Sequence, residues 1–268
     1  MTEIKITTAK KETLYHVPAS FNEMTREQFI LTAAKILHAI TGIEDETYYA
    51  TMTGIEPKVY AKLHFYQRYN IRQLFDFVTE TSPPITKQLL PYIIIDEKQF
   101  IGYQPGFSNT TWQEFIFADQ YIINGKYREA AACLYRPQRP DYTGETDRRI
   151  PFTIYGTDTR MKFFSQLPEA ELLAFVLNYK SLRKTHLEEK YSFIFSNSKS
   201  HVIAGLTRNP HRSPSTVLPV PFSWVAIHRD LMGDHFYDET KFYELNVHVI
   251  LNRMNTVIQE HGTRRNGT

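Results

Sequence analysis

The sequence has little cysteine, glycine or proline, and each shortage excludes a class of structure. Cys133 is the single cysteine, which excludes an internal disulfide and any zinc site made of several cysteines. The 11 glycines and 14 prolines together fall below the average share of about 12%. With an aromatic content of 14%, this shortage of chain-breaking residues favours long helices over many short strands.

A strong charge and long apolar runs are also missing. Lys and Arg number 31 and Asp and Glu number 29, a net charge of +2, which is too small to indicate a nucleic-acid or membrane surface by itself. No stretch approaches the ~18 uninterrupted apolar residues of a membrane-spanning helix, and the first residues lack the apolar region of a signal peptide. We therefore expect a soluble, cytoplasmic protein that does not bind membranes.

What the sequence does contain is a globular composition with helical periodicity. It is 42% hydrophobic and 22% charged, which excludes a disordered chain. We expect a mainly α fold, a single helical domain over residues 1–268 with one or two small β-hairpins. Alternating apolar and polar residues predict an N-terminal hairpin over 1–18, and a second hairpin is indicated over 91–103.

Two capping boxes mark the clearest helix starts. Thr25 with Gln28 opens a helix that ends at Gly42, and Thr111 with Glu114 opens another. The other predicted helices cover 44–52, 57–81, 127–135, a short segment capped by Thr157 or Asp158, a long segment from Pro168 to about 195, 222–232 and 238–260.

Two segments have the composition of loops. Residues 137–150 are polar, contain proline and glycine, and are interpreted as a mobile loop. Residues 196–221 combine several prolines with many Ser, Asn, Arg and Lys residues, and are interpreted as an exposed insertion between two helices.

The ten histidines are spread too widely for a metal motif. The tightest group of ligand-type residues is His228, Asp230, Asp234, His235 and Asp238. A capped helix end explains these residues more simply than a metal or catalytic site does.

Catalytic motifs are missing as well. The sequence has no nucleophile elbow, zinc-protease, phosphate-loop or dinucleotide-binding fingerprint. Cys133 lies in an apolar helical turn without an adjacent base, so a structural role is expected. We assign no catalytic residue, no metal and no cofactor, and expect that the protein is not an enzyme.

The aromatic residues exceed what one helical seam needs. One interpretation is a large aromatic core; the other is a groove for a partner, since interfaces are enriched in Tyr, Trp and Phe. The candidate partner-binding residues are Trp112, Phe115, Trp224, Phe236 and Tyr237. Binding to single-stranded nucleic acid is disfavoured because the basic pairs are scattered and lie close to acidic residues.

Three segments carry a resemblance to a known class of proteins. Residues 15–29, YHVPASFNEMTREQF, resemble the opening of small proteins encoded in bacteriophage and prophage tail modules, which combine a short strand, Tyr-x-Val/Ile-Pro, an aromatic residue and Gln-Phe/Tyr on a helix. Residues 130–137, AAACLYRP, and 160–168 are similar to central motifs of phage proteins from gut bacteria. The resemblance implies a tail-assembly protein or chaperone, although tail assembly chaperones are typically shorter than this chain.

A second resemblance concerns the predicted insertion. Residues 201–210, HVIAGLTRNP, look like the translation of a dispersed bacterial genomic repeat. This resemblance implies a bacterial source and disfavours a catalytic role for His201 or Arg208.

These observations together predict a non-enzymatic tail-assembly or structural protein of a phage or prophage. It would bind a protein partner, with a tail component as the implied one, and could form oligomers or associate with the virion. Two alternatives stay open: an enzyme of unrecognised type with a site near 228–238, and a nucleic-acid-binding accessory protein.

Overall fold

A computed structural model describes residues 1–7, 12–38, 45–79, 84–144, 147–196, 224, 227–228 and 239–266. The chain divides into two compact units. Unit 1 comprises Met1–Pro91 with Leu167–Leu182, and unit 2 comprises Tyr92–Gln166 with Arg183–Thr268. The expectation of a single domain over 1–268 stays a prediction, because compactness alone does not say which part of a chain folds by itself.

Unit 1 holds the first strands and helices. They are β1 (Thr2–Thr7), β2 (Glu12–Val17), α1 (Arg26–His38), α2 (Asp45–Thr53), α3 (Pro57–Tyr60), α4 (Phe65–Gln73) and nearly all of α8 (Glu169–Arg183). Unit 2 holds β3 (Tyr92–Ile95), β4 (Lys98–Ile101), α5 (Trp112–Ile123), α6 (Tyr127–Leu134), α7 (Ile154–Phe164), α9 (Ser192–Ser196), α10 (Glu239–Glu244) and α11 (Val247–Asn266). The mainly α fold class is confirmed.

Both predicted hairpins are present. β1 and β2 pair antiparallel with Thr2 opposite Val17, and β3 and β4 pair with Tyr92 opposite Ile101. Across the described ranges these are the two sheets, each of two strands. The small β content is therefore local hairpins added to a helical fold.

The capping box at the start of α1 forms as predicted. The Gln28 N–H donates to Thr25 Oγ1 at 3.2 Å, and the Thr25 N–H donates to Gln28 Oε1 at 2.9 Å. The helix then buries Phe29 and Ala33 one turn apart. Local sequence signals thus fix where this helix begins and which side faces the core.

The core of unit 1 combines aromatic rings with an anchored segment before β3. Phe21 packs edge-on against Phe29, with ring centroids 6.2 Å apart. The Ile85 N–H donates to Ser181 Oγ on α8 at 2.8 Å, and the Leu89 N–H donates to Asn178 Oδ1 at 3.1 Å. These hydrogen bonds satisfy backbone groups of a segment without regular structure.

The predicted helix over 57–81 is interrupted. The His64 N–H donates to Gln67 Oε1 at 2.8 Å and the Tyr66 N–H donates to His64 Nδ1 at 3.4 Å, so a new cap starts α4 after α3 has ended. Helical periodicity continues across such a break, and the sequence pattern therefore did not reveal it.

Another helix begins earlier than predicted. Thr153, not Thr157 or Asp158, caps α7, since its Oγ1 accepts from the Gly156 N–H at 3.0 Å. The predicted caps lie inside the helix, where the Thr157 hydroxyl donates to the Thr153 carbonyl at 3.3 Å. The long helix after Pro168 forms as α8, which passes through a π-helical turn over Lys184–Glu188 before α9.

The segment 137–150 is anchored at its base. The Arg139 N–H donates to the Arg148 carbonyl at 2.7 Å, and the Arg149 side chain is fully buried. Residues 140–144 are exposed, and their mobility stays a prediction. The predicted insertion over 196–221 lies outside the described residues apart from Ser196, which ends α9.

The last predicted helix is divided into α10 and α11. At the division the Trp112 N–H donates to the Leu245 carbonyl at 2.7 Å, and the Val247 N–H donates to the Thr110 carbonyl at 3.0 Å. These bonds join the start of α5 to the start of α11. Of the predicted helix over 222–232, residues 224 and 227–228 are described and are helical.

Candidate functional site

The most exposed aromatic cluster in the described residues lies on α4 in unit 1. Phe65, Tyr66 and Tyr69 are 64%, 68% and 50% exposed. The Phe65 ring lies 5.8 Å from that of Tyr66 and 6.4 Å from that of Tyr69. We call these three residues the α4 aromatic surface.

The neighbours of this surface hold it in place. The His64 ring, part of the cap, stacks on Tyr66 with centroids 5.5 Å apart. Arg68 pairs with Glu46 of α2, and the Arg72 guanidinium lies 5.5 Å from the Tyr49 ring. These contacts connect α4 to α2, and the three aromatic rings of α4 remain exposed to solvent.

This arrangement has the chemistry of a binding surface. Contiguous exposed apolar side chains are uncommon on monomers and mark interaction sites. Aromatic residues and arginine are the side chains most enriched at the centres of protein interfaces. Because the Phe65 ring already contacts the rings of Tyr66 and Tyr69, a partner would restrict few additional rotamers.

The aromatic residues assigned to partner binding in unit 2 lie elsewhere. Trp112, Phe115 and Trp224 are all fully buried. Trp224 lies 5.5 Å from the Trp112 ring and 5.2 Å from the Phe115 ring. The structure therefore corrects the expectation of a groove at these three residues, which form an aromatic core. Phe236 and Tyr237 lie outside the described residues.

Both indole N–H groups in this core have acceptors. Trp112 Nε1 donates to His228 Nδ1 at 3.1 Å, and Trp224 Nε1 donates to Asp119 Oδ2 at 2.6 Å. Asp119 is itself paired with Arg183, with 2.7 Å between Oδ1 and Nε. The polar atoms of the two tryptophans are thus satisfied inside the unit, as burial requires.

A buried ion cluster lies beside this core. The Glu114 carboxylate is fully buried, with Oε1 2.7 Å from Arg149 Nη1 and Oε2 3.0 Å from Arg136 Nη2. Asp147 Oδ2 lies 2.9 Å from Arg149 Nη2 and 3.2 Å from Arg136 Nη2. Two carboxylates therefore balance two guanidinium groups, which joins α5 to both ends of segment 137–150.

The pKa values of Asp147, Arg136 and Arg149 are each shifted by burial and by the partners in this ion cluster. Partial burial opposes ionisation of Asp147, but hydrogen bonds and charge from Arg149 outweigh it, and the Asp147 pKa lies below its ordinary value. Burial lowers the pKa of Arg136. Burial also opposes the charge of Arg149, but the charges and hydrogen bonds of Glu114 and Asp147 together outweigh it and raise the Arg149 pKa. Each charge in this cluster faces a charge of opposite sign, so the removal of one member would leave an uncompensated buried charge.

The sequence signals at Glu114 were ambiguous. Thr111 does cap α5, since its Oγ1 accepts from the Glu114 N–H at 3.2 Å. The Glu114 carboxylate, expected to complete the capping box, turns inward to the two arginines instead. Glu114 precedes the buried Ala118 and Ile122 by four and eight residues. This helical spacing places Glu114 on the same face of α5 as those two residues, and it is the signal that could have predicted burial of the carboxylate.

At the alternative enzyme site, the structure describes His228 but not residues 229–238. The His228 ring stacks on Tyr243 with centroids 4.1 Å apart, and Nε2 lies 3.5 Å from Glu239 Oε1. Burial lowers the His228 pKa. Within the described ranges, no group of three or more His, Cys, Asp or Glu side chains could hold a metal ion.

Cys133 is buried in α6, as its apolar surroundings indicated. Its Sγ lies 3.5 Å from the Glu114 carbonyl oxygen, to which the thiol donates, and burial raises the pKa of the thiol. A protonated, inaccessible thiol is a structural group rather than a nucleophile.

Searches for similar proteins returned no match: no family model fits the chain, and neither curated proteins nor solved structures are significantly similar to it. Within the described residues, no helix is both long enough and apolar enough to cross a membrane.

Proposed function

We propose that this chain is a non-enzymatic protein that binds another protein through the α4 aromatic surface. The observation that carries the proposal is the exposure of three contiguous rings, Phe65, Tyr66 and Tyr69, on one helix. A partner that covers these rings removes a large apolar area from water, which supplies most of the binding free energy.

The biological setting rests on the resemblance to phage tail modules. We propose a tail-assembly or structural protein of a phage or prophage, working in the cytoplasm of a bacterial host or associated with the virion. Residues 15–29, which carry the first segment of the resemblance, form the end of β2 and the start of α1 in unit 1. The α4 aromatic surface belongs to the same unit, which makes unit 1 the part to test first.

Affinity purification tests the proposal. The tagged protein is captured from its own bacterium with and without prophage induction, and the proteins that bind are identified by mass spectrometry. We expect tail or other virion proteins to bind the unaltered chain after induction. The triple variant Phe65→Ala, Tyr66→Ala, Tyr69→Ala should lose them, with an affinity loss of about 30-fold or more for the isolated pair.

Tyr155 provides the matched control. It is an 86% exposed tyrosine on α7 in unit 2, so Tyr155→Ala removes an exposed ring without touching α4. This variant should bind the partner normally, and both variants should keep their melting temperatures because exposed side chains add little stability. If the triple variant binds the partner as well as the unaltered chain does, the α4 aromatic surface is not the binding site.

The identity of the bound material separates the proposal from its alternatives. Recovery of a metabolic enzyme in place of virion proteins would contradict a role in tail assembly. Salt-dependent retention of DNA or RNA would instead favour the nucleic-acid accessory protein, because phosphate contacts weaken steeply as salt rises.

A further inference from the structure

An open groove in unit 2 lies between β4 and α7 and has a volume of about 510 Å³. Its walls are mainly apolar and are formed by Phe100, Pro137, Ile150 and Phe163. Gly156, Lys98 and Arg160 also line it. A groove that combines apolar walls with a few polar groups is the usual form of a small-ligand site.

Arg160 is the buried polar group of this groove. Its side chain is 4% exposed. Nε donates to the Ala132 carbonyl at 2.6 Å and Nη2 donates to Thr157 Oγ1 at 3.1 Å. These two hydrogen bonds to neutral acceptors fix the orientation of the guanidinium. Its third nitrogen, Nη1, makes no hydrogen bond to the part of the chain that the structure describes.

The environment of Arg160 contrasts with that of Arg136 and Arg149, the other two arginines that are buried in the described part of the chain. Arg136 and Arg149 each contact the carboxylates of Glu114 and Asp147, whereas no carboxylate within the described ranges lies at ion-pair distance from Arg160. Burial lowers the Arg160 pKa to about 10, which still leaves the group charged at neutral pH. A buried charge without a counter-charge in direct contact is unfavourable, and an anion bound in the groove would reduce that penalty.

Gly156 lies next to the Arg160 guanidinium, and its lack of a side chain leaves space for a ligand beside Nη1. A Cβ atom on Gly156 would lie 2.9 Å from Arg160 Nη1 and 2.8 Å from Thr153 Oγ1. Both distances are shorter than a carbon atom tolerates. Any side chain at position 156 would therefore occupy the space beside Nη1 and force the guanidinium to move.

We propose that this groove binds a carboxylate carried on an apolar group, with Arg160 as the anion-binding residue. A guanidinium matches the geometry of a carboxylate, and the apolar walls cover the hydrocarbon part. Lys98, whose Nζ lies 4.3 Å from the centre of the Phe163 ring, adds a second positive charge at the rim. The proposal is independent of the α4 aromatic surface, which lies in unit 1.

Two sources can supply this chemistry: a small carboxylic acid, and the C-terminal carboxylate of a peptide that ends in an apolar residue. Phenylacetate probes the first, and a short peptide with a C-terminal phenylalanine probes the second. Phenylacetamide and the same peptide with an amidated C-terminus are the neutral controls. Binding is measured with the full chain by calorimetry and by ligand-observed NMR.

We expect at least one acid to bind about tenfold or more tightly than its amide, because a charge-assisted hydrogen bond is lost with the charge. Binding of phenylacetate alone identifies a small acid, and binding of the peptide alone identifies a C-terminus. Equal binding of acid and amide in both pairs, or no binding of any probe at millimolar concentration, overturns the proposal.

Variants then locate the site. Arg160→Gln and Gly156→Ala should each weaken acid binding by about tenfold or more. Lys162→Met is the matched control, since Lys162 is an exposed cation on the same helix that does not line the groove. If Arg160→Gln fails to fold, Gly156→Ala and the comparison of acid with amide still test whether the groove binds a carboxylate. Unchanged binding by folded Gly156→Ala would place the ligand elsewhere.

Discussion

Two helices, one in each unit, place their aromatic side chains in opposite environments. On α4 in unit 1, Phe65, Tyr66 and Tyr69 point outward, whereas on α5 in unit 2, Trp112 and Phe115 are fully buried. Both helices are rich in aromatic residues near their N-termini. Residue type therefore did not decide exposure, and the neighbours of each helix did.

The reason lies in how many neighbours each helix has. α5 buries seven of its residues and packs chiefly against α6, with further contacts to α10 and α11. α4 buries Ile71 alone. A helix enclosed by neighbours needs large rings to fill its core, while rings on a helix with one buried position stay in water unless a partner covers them.

The two units also contain ion pairs that differ strongly in burial. In unit 1, Arg68 pairs with Glu46, whose side chain is 51% exposed, while in unit 2 Glu114 pairs with two arginines out of contact with water. Exposed pairs contribute little to stability, but removing one member of a buried pair leaves an uncompensated charge. Three experiments sharpen these contrasts.

The largest effect is expected from two substitutions at the same position of a capping box. Glu114→Ala leaves Arg136 and Arg149 without their buried partner and should lower the free energy of unfolding by about 3–5 kcal/mol. Gln28→Ala in unit 1 removes two hydrogen bonds, to the Thr25 N–H and the Met52 carbonyl, and should cost about 1–2 kcal/mol.

Denaturant titration of both variants measures this difference. Equal losses from Glu114→Ala and Gln28→Ala would mean that Glu114 acts as an ordinary cap. Glu46→Ala is a further control for the loss of a carboxylate, because its pair with Arg68 is exposed and should be worth at most about 1 kcal/mol.

The second comparison replaces one aromatic residue in each unit by leucine. Phe115→Leu removes volume from a full core and should cost about 1–2 kcal/mol. Tyr69→Leu, on the α4 aromatic surface, should stay within about 0.5 kcal/mol. Thermal unfolding followed by circular dichroism measures both, and a large loss from Tyr69→Leu would show that this ring is part of a core.

The smallest expected effect is on the pH dependence of stability. Burial lowers the pKa of His228 and of His248 in unit 2. Below the ordinary histidine value of about 6.5 the unfolded chain then binds more protons than the folded one, so stability falls as the pH falls through that value. At higher pH both states are neutral at these histidines and the effect vanishes.

Melting temperatures measured between about pH 7.5 and 5.5 test this expectation. His228→Gln removes one of the two groups, and its melting temperature should decrease less steeply with falling pH than that of the unaltered chain. The slope is compared rather than the absolute stability, because the substitution also alters the acceptor of Trp112 Nε1. An identical or steeper slope would show that His228 is not buried in its neutral form.

Local signals predicted much of the fold. Thr25 and Gln28 fixed the start of α1, Thr111 fixed the start of α5, and alternation predicted both hairpins, because each signal acts within a few residues. The predicted helix bounds were wrong where the capping residue was not recognised in the sequence. The cap at His64 interrupted a continuous helical pattern, and Thr153 capped α7 ahead of the predicted residues.

The candidate sites were hardly predictable. The sequence indicated that aromatic residues were in surplus, but it assigned partner binding to Trp112, Phe115 and Trp224, which are buried. No local pattern marked Arg160 as an anion-binding residue, because its role depends on a groove formed with residues of β4 and segment 137–150 and on the lack of a carboxylate at ion-pair distance in the described ranges.

By itself, the sequence determined the kinds of element, many of their ends and the mainly α class, because caps, turns and periodicity depend on neighbours along the chain. Only the tertiary structure decided which charged and aromatic side chains lie inside. Glu114 meets Arg136 across 22 residues, and Trp224 meets Asp119 across 105. Burial and charge pairing depend on such distant contacts, which no local pattern specifies.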